Sequence, residues 1–93
     1  MKAVWNNVII AESEDTIVVE TNHYFPPDSI HSEYFMPNNN TSVCGWKCTA
    51  NYYTITVNGK TNEDAAWYYS NPLDAATHIK GRVAFWRGVK IVP

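Results

Sequence analysis

The dipeptide Asn58-Gly59, which follows the run Ala50–Val57, is the feature that most restricts how this chain can fold. Along the run, apolar and polar side chains alternate with the period of two that is typical of a β-strand. Asn-Gly readily adopts the positive φ angles of a two-residue hairpin turn. The polar stretch Lys60–Asp64 and the aromatic stretch Ala65–Tyr69 come next. This order predicts an antiparallel pair of strands in the second half of the chain.

The first twenty or so residues repeat the same alternation of strand and turn. Lys2–Trp5 and Val8–Glu12 are short β-type runs, and Asn6-Asn7 between them tolerates the backbone of a tight turn. After a polar turn, the β-branched run Thr16–Glu20 adds another strand. The pattern predicts a three-stranded meander.

The middle of the chain is less regular, because Pro26-Pro27 cannot continue a hydrogen-bonded ladder. Asp28–Ile30 is predicted to form one helical turn, and His31–Met36 to be extended. Pro37–Asn40 has the composition of a loop. Thr41–Cys44 is predicted to be a strand that leads into the most reactive part of the sequence.

Near the end of the chain, Asn71 followed by Pro72 is typical of a helix start, and Gly81 of a helix stop. A short helix is therefore predicted near residues 72–79. Arg82–Trp86 and Val89–Val92 are predicted to form a closing hairpin. The sum is a mainly β fold of about eight short antiparallel strands with one short helix. The absence of a repeating strand-helix-strand pattern disfavours a parallel nucleotide-binding sheet.

Length and charge exclude several classes of protein. The 93 residues are expected to form a single domain, 1–93. The net charge is −2 and no basic run occurs, so we expect no binding to nucleic acid. No apolar run is long enough to span a bilayer, and the first residues do not resemble an export signal, so we expect a cytoplasmic protein without a membrane partner.

The window Val43–Tyr53 concentrates two thiols, an indole, an ammonium group and two phenols. Aromatic walls with a few polar groups are typical of pockets for small molecules. We therefore expect a pocket for a small organic or anionic ligand, in which the rings stack on a planar group and Lys47 meets an anionic one. Simple packing of the aromatic rings in the core is the rival interpretation. The predicted ligand-binding residues are Trp46, Lys47, Tyr52, Tyr68 and His23.

Two other functions stay open. Cys44 is a candidate nucleophile if a base or a cation lowers its pKa, which would make the protein a thiol-dependent enzyme. In an extended segment Cys44 and Cys48 would be roughly 13 Å apart, too far for a disulfide, although Gly45 could bend the chain. Alternatively, sheet edges could pair two copies into a homodimer. The sequence has no metal-binding motif, so no metal site is predicted and cofactors stay unassigned.

Several segments together resemble a bacterial family, the domain of unknown function 427. The segments are Lys2–Trp5, Asn22–Pro27, Val43–Lys47, Ala50–Tyr53, Ala65–Tyr69 and Lys80–Trp86. Cys44, Trp46, Lys47, Ala50 and Tyr52 match the family pattern of the central window. Gly45 stands where proline is usual, and Cys48 where glycine is usual.

The resemblance implies a tent-like fold of small coiled sheets, like that of Mss-four-type proteins. It also implies the nucleotidyltransferase label that some catalogues give the family. The chain has neither a glycine-rich phosphate loop nor an evident cluster of carboxylates for Mg²⁺. Some tent-like relatives bind zinc through paired Cys-x-x-Cys motifs, which this sequence lacks.

Overall fold

Nine β-strands and three 3₁₀ helices form the chain, which the computed structural model describes from Met1 to Pro93. The strands are β1 Lys2–Trp5, β2 Val8–Glu12, β3 Ile17–Val19, β4 Asn22–Tyr24, β5 Phe35–Cys44, β6 Cys48–Val57, β7 Lys60–Tyr68, β8 Val83–Phe85 and β9 Lys90–Val92. The 3₁₀ helices are Pro27–Ser29, Ser32–Tyr34 and Asp74–Ile79. The predicted fold class, mainly β with short antiparallel strands, is confirmed.

The largest sheet has four antiparallel strands in the order β5-β6-β7-β8. Asn58-Gly59 joins β6 to β7 with φ angles of 50° and 77°, as the sequence predicts. In this register Tyr52 lies opposite Trp67, and Tyr53 lies opposite Ala66. The register shifts between Tyr53 and Ile55, where Asp64 on β7 has a φ of 57°. This bulge decides which side chains of β7 point to each face.

The second sheet has the order β2-β1-β9. The predicted turn at Asn6-Asn7 is confirmed, with φ angles of 50° and 64°. The predicted closing hairpin is wrong, because β8 pairs with β7 and β9 pairs with β1. The chain does turn at Arg87-Gly88, but every residue of β8 is buried in the central sheet, and β9 continues to the other sheet.

The predicted three-stranded meander is also wrong. β3 pairs with β4 in a separate two-stranded sheet, and not with β2. Glu20 and Thr21 form the connecting turn with φ angles of 53° and 68°. Neither residue favours this conformation, so no turn was predictable there from residue preferences.

The prediction of a loop at Pro37–Asn40 is also wrong, because this segment lies within β5. β5 is an edge strand, where proline costs no ladder hydrogen bond, and the register shifts between Pro37 and Thr41. The predicted extended run His31–Met36 instead contains the 3₁₀ helix Ser32–Tyr34. The homodimer stays a prediction.

The helix predicted near residues 72–79 is 3₁₀ and covers only Asp74–Ile79. Its backbone is interrupted at Ala76, with φ −117° and ψ 15°, and Asn71 does not cap it. Ala76 and Ile79 are three residues apart, so the 3₁₀ geometry puts both on one face, where they are fully buried. Asp74–Ile79 is the longest helical segment of the chain, so none of the helices could cross a bilayer.

The central sheet is covered on both faces. One face, which we call the packed face, contacts the β2-β1-β9 sheet through a cluster that includes Ile10, Ile55 and Phe85. The other face, which we call the open face, is covered only in part, by the β3-β4 hairpin and the 3₁₀ helix Asp74–Ile79. Tyr24 of the hairpin and Ile79 of the helix are fully buried against it. Burial of such side chains is the main favourable contribution to folding, at about 1.5–3 kcal/mol each.

Candidate functional site

Four aromatic rings on the open face surround a hollow of about 190 Å³. They belong to Tyr52, Trp67, Tyr69 and Trp86, and we call the space between them the aromatic hollow. Tyr52 and Trp67 are direct neighbours across β6 and β7. Tyr69 lies two positions after Trp67, and Trp86 directly follows β8. The period of two in adjacent strands therefore puts all four rings on one face.

Hydrogen bonds fix three of these rings. The indole nitrogen Nε1 of Trp67 donates to the hydroxyl of Tyr24 at 3.3 Å. Nε1 of Trp86 donates to the backbone carbonyl of Asp64. The hydroxyl of Tyr52 lies 2.8 Å from Oγ of Ser42. The polar atoms of these rings are thus already engaged, and their faces are left to line the hollow.

Tyr69 differs from the other three rings, because its hydroxyl has no hydrogen-bond partner in the protein. Its side chain is only 5% exposed. Burial raises the pKa of Tyr69 well above its usual value of 10.0, and the nearby Tyr24 and Cys44 raise it further. The phenol therefore stays neutral at all physiological pH values and can donate one hydrogen bond.

Lys47 lies behind Tyr69 and does not line the aromatic hollow. It is 5% exposed, and its Nζ forms an ion pair with a carboxylate oxygen of Glu20. The same nitrogen lies 4.8 Å from the ring centroid of Trp46 and 5.7 Å from that of Tyr69. Burial lowers the pKa of Lys47, but the hydrogen bond that its ammonium donates to Glu20 and the acidic groups nearby outweigh this effect and raise the pKa. The ammonium charge is therefore retained and matched within the protein.

The other predicted binding residues lie in different places. Trp46 is 36% exposed in the turn before β6 and packs on Lys47. Tyr68 is on the packed face, where its ring centroid is 5.0 Å from that of Tyr53. Nδ1 of His23 lies 3.1 Å from the hydroxyl of Thr16 in the β3-β4 hairpin. Of the predicted set, only Tyr52 lines the hollow.

Sequence reasoning missed Trp67, Tyr69 and Trp86. The alternation along Trp67-Tyr68-Tyr69 does indicate that the first and third rings share a face. What it does not indicate is the register, which places Trp67, and not Tyr68, opposite Tyr52. Trp86 reaches the hollow because β8 pairs with β7, a pairing that the predicted closing hairpin did not include.

The two thiols also lie differently from the extended-chain estimate. Cys44 and Cys48 are opposite one another at the ends of β5 and β6, because Gly45, Trp46 and Lys47 form a turn between them. Both are free and partly buried. Directly opposed residues of an antiparallel pair have Cα atoms roughly 4.5–5.5 Å apart, within the range that a disulfide spans. Of the two alternatives that the sequence left open, the segment is therefore bent at Gly45 and not extended.

No group of three or more His, Cys, Asp or Glu side chains lies close enough together to hold a metal ion. The carboxylate of Asp64 accepts hydrogen bonds from the amide groups of Asn38 and Asn40, at 2.8–3.1 Å. A second hollow, of about 300 Å³, is lined mainly by the turns at Asn6-Asn7 and Gly88. Trp5 is the one aromatic residue that lines it, against four in the first, so the aromatic hollow is the better candidate site.

Comparison with known proteins gives one result. A family model described as "Domain of unknown function (DUF427)" matches residues 1–92. The match covers nearly the whole chain and agrees with the resemblance seen in the sequence. No curated protein matches the chain.

Proposed function

The chain belongs to the family described as domain of unknown function 427, and we propose that it binds a small organic molecule in the aromatic hollow. The tent-like fold and the nucleotidyltransferase label stay predictions from the resemblance. The single observation that carries our proposal is the grouping of Tyr52, Trp67, Tyr69 and Trp86 around one open space.

Exposure supports this assignment. Trp86 is 43% exposed, although its face would be buried if the ring served only to fill the core. Exposure of an indole ring to water is unfavourable in free energy, and a large apolar surface in a concave place is typical of a binding site. The hydrogen bond from Trp86 to the Asp64 carbonyl also fixes the ring in the wall of the hollow. A side chain that is already fixed loses less conformational entropy when a ligand binds.

The size of the hollow restricts the ligand. At about 190 Å³ it is smaller than the roughly 300–1,000 Å³ of pockets that take drug-sized molecules. The buried part of the ligand would therefore be one ring or one compact apolar head. Lys47 does not offer its charge to an anionic ligand, because it already pairs with Glu20.

The experiment uses the two tryptophans of the hollow as reporters. We expect small apolar fragments, such as indole and benzyl alcohol, to shift the indole N–H resonances of Trp67 and Trp86 in NMR spectra. Trp5 and Trp46 should shift little, because they lie outside the hollow. Affinities should be weak, because so few ligand atoms are buried.

Trp86→Ala should remove the binding, whereas Trp46→Ala should keep it. The two residues are matched, because they are 43% and 36% exposed and each ring lies under a cation. If no fragment shifts the resonances of Trp67 and Trp86, or if both variants lose binding equally, the proposal is wrong.

The opposed thiols support a second candidate, a redox function at Cys44 and Cys48. With oxidised glutathione, one thiolate would attack the disulfide and release one reduced glutathione. The other cysteine would then displace the second glutathione and close a disulfide between β5 and β6. Mass spectrometry should show the loss of two hydrogens from the protein. A stable glutathione adduct that never resolves would count against this function.

A further inference from the structure

We propose that the aromatic hollow recognises a methylated ammonium group, that is, a cation whose nitrogen carries methyl groups in place of N–H donors. This inference rests on the proposed function, because it names the ligand of the same hollow. It is carried by three properties of the site: the arrangement of the rings, their hydrogen bonds and the charges around them.

The rings are arranged as the walls of a cage. Trp67 and Trp86 have centroids 5.6 Å apart, and their planes meet at 75°. Tyr52 lies beside Trp67 across the strands, and Tyr69 follows on the same face. A cation over the face of an aromatic ring is attracted by the ring's negative π surface, and several such faces act together on a quaternary ammonium group.

The hydrogen bonds leave little for a polar ligand to bind. The N–H groups of Trp67 and Trp86 donate within the protein, and the Tyr52 hydroxyl is paired with Ser42. A sugar or an amide would lose its bonds to water on entering and would recover few of them. A methylated ammonium group has no N–H donor, so it loses no such bond. The unpaired Tyr69 hydroxyl remains for a single polar atom elsewhere in the ligand.

The charges beside the hollow leave it open to a cation. Lys47 is neutralised by Glu20, so the buried ammonium does not repel a second one strongly. The carboxylate of Asp64 accepts hydrogen bonds only from the neutral amides of Asn38 and Asn40. The backbone carbonyl of the same residue accepts the hydrogen bond from Trp86. The guanidinium carbon of Arg87 already lies 4.8 Å from the Trp86 ring centroid. This contact is itself an example of a cation on that ring.

Choline and 3,3-dimethylbutan-1-ol test the inference, because they have nearly the same shape and differ in the positive charge. Titration into the full chain would be followed by tryptophan fluorescence and by the indole N–H resonances of Trp67 and Trp86, with sodium chloride added to equal ionic strength. We expect choline to bind about tenfold more tightly than the neutral alcohol, a difference of about 1.4 kcal/mol that lies within the range of cation–π contacts.

Trp86→Leu keeps an apolar side chain but removes the π surface. It should reduce the affinity for choline to that for the neutral alcohol, whereas Trp46→Leu should leave the tenfold preference for choline unchanged. Equal binding of choline and the alcohol to the unaltered protein would overturn the inference and leave the proposed function standing. Binding of indole or benzyl alcohol without any binding of choline would do the same. If none of these compounds binds, the proposed function fails as well.

Discussion

The two faces of the central sheet carry similar aromatic residues, but one face forms a packed core and the other lines an open hollow. On the packed face, Phe35, Tyr53, Tyr68 and Phe85 contact one another, with centroids 5.4 Å apart for Phe35–Tyr53 and 6.0 Å for Phe35–Phe85. On the open face, Tyr52, Trp67, Tyr69 and Trp86 surround the aromatic hollow. Both sets have four rings, so composition does not distinguish a core from a site.

The difference lies in what covers each face. The packed face is covered by the three strands of the β2-β1-β9 sheet, and its rings fill the space beneath. The open face is covered only by the β3-β4 hairpin, with three residues in each strand, and by one short 3₁₀ helix. This cover buries Tyr24 and Ile79 but does not reach Trp86. A small cover over a long aromatic face therefore produces a hollow.

Phe85 and Trp86 give the sharpest test of this comparison, because they are neighbours in sequence that serve opposite faces. Phe85 is 6% exposed and packs edge-to-face on Phe25 at 5.5 Å. We expect Phe85→Ala to lower the free energy of unfolding by about 3–5 kcal/mol, as for other buried aromatic residues. Trp86→Ala should lower it by only about 1 kcal/mol. Urea denaturation of both variants measures the difference.

Fragment binding to the same two variants completes this test. Trp86→Ala should abolish binding although it remains folded, whereas Phe85→Ala should keep binding in whatever fraction is folded. If Trp86→Ala is as destabilised as Phe85→Ala, the open face is a core like the packed one, and the contrast between the faces disappears.

Lys47 tests whether the open face depends on a buried charge. We expect Lys47→Ala to lower the free energy of unfolding by about 1–3 kcal/mol, because it removes a buried side chain whose ammonium lies near the rings of Trp46 and Tyr69. Glu20 is 56% exposed at its side chain, so water can solvate its carboxylate once the partner is lost. Lys47→Met keeps the stem and should cost less than about 1 kcal/mol. Thermal or urea unfolding measures both changes.

Equal losses in Lys47→Ala and Lys47→Met would show that the ion pair, and not the packing, holds this part of the site. Both variants should still bind neutral fragments, because Lys47 does not line the hollow. Loss of fragment binding in a well-folded Lys47→Met would give Lys47 a direct role.

The smallest expected effect is a loss of stability at alkaline pH, to which both faces contribute. Burial raises the pKa of Tyr53 on the packed face and of Tyr69 on the open face, and the pKa of Lys47 is also raised. In the unfolded chain, tyrosine and lysine lose their protons near the ordinary values of 10.0 and 10.5. The unfolded state therefore binds fewer protons than the native state above about pH 10. Stability should be independent of these groups below that pH, and above it each group should lower stability until the pH passes its raised native pKa.

Urea unfolding at a series of pH values from about 8 to about 11.5 measures this slope. Tyr53→Phe and Tyr69→Phe should each make it shallower, because each removes one of the protons involved. A slope that neither variant changes would mean that the two phenols titrate alike in the folded and unfolded states.

Local features of the fold were predictable because they depend on neighbouring residues alone. The turns at Asn6-Asn7 and Asn58-Gly59 follow from side chains that tolerate positive φ, and β1 and β2 have the predicted bounds. The turn at Glu20-Thr21 was not predictable, since no intrinsic preference indicates it. Nor was the 3₁₀ geometry of Asp74–Ile79, which buries Ala76 and Ile79 together against the sheet.

The sequence by itself determined a small, mainly β protein rich in aromatic residues, with Tyr52 among the candidate binding residues. Only the tertiary structure decided that Trp67, Tyr69 and Trp86 join Tyr52, that Tyr68 faces the other way, and that Lys47 is paired with Glu20. The physical reason is that alternation along one strand depends on the backbone alone, whereas the register between strands depends on the total burial of both faces. The short cover provided by β3 and β4 then leaves one set of rings in contact with water.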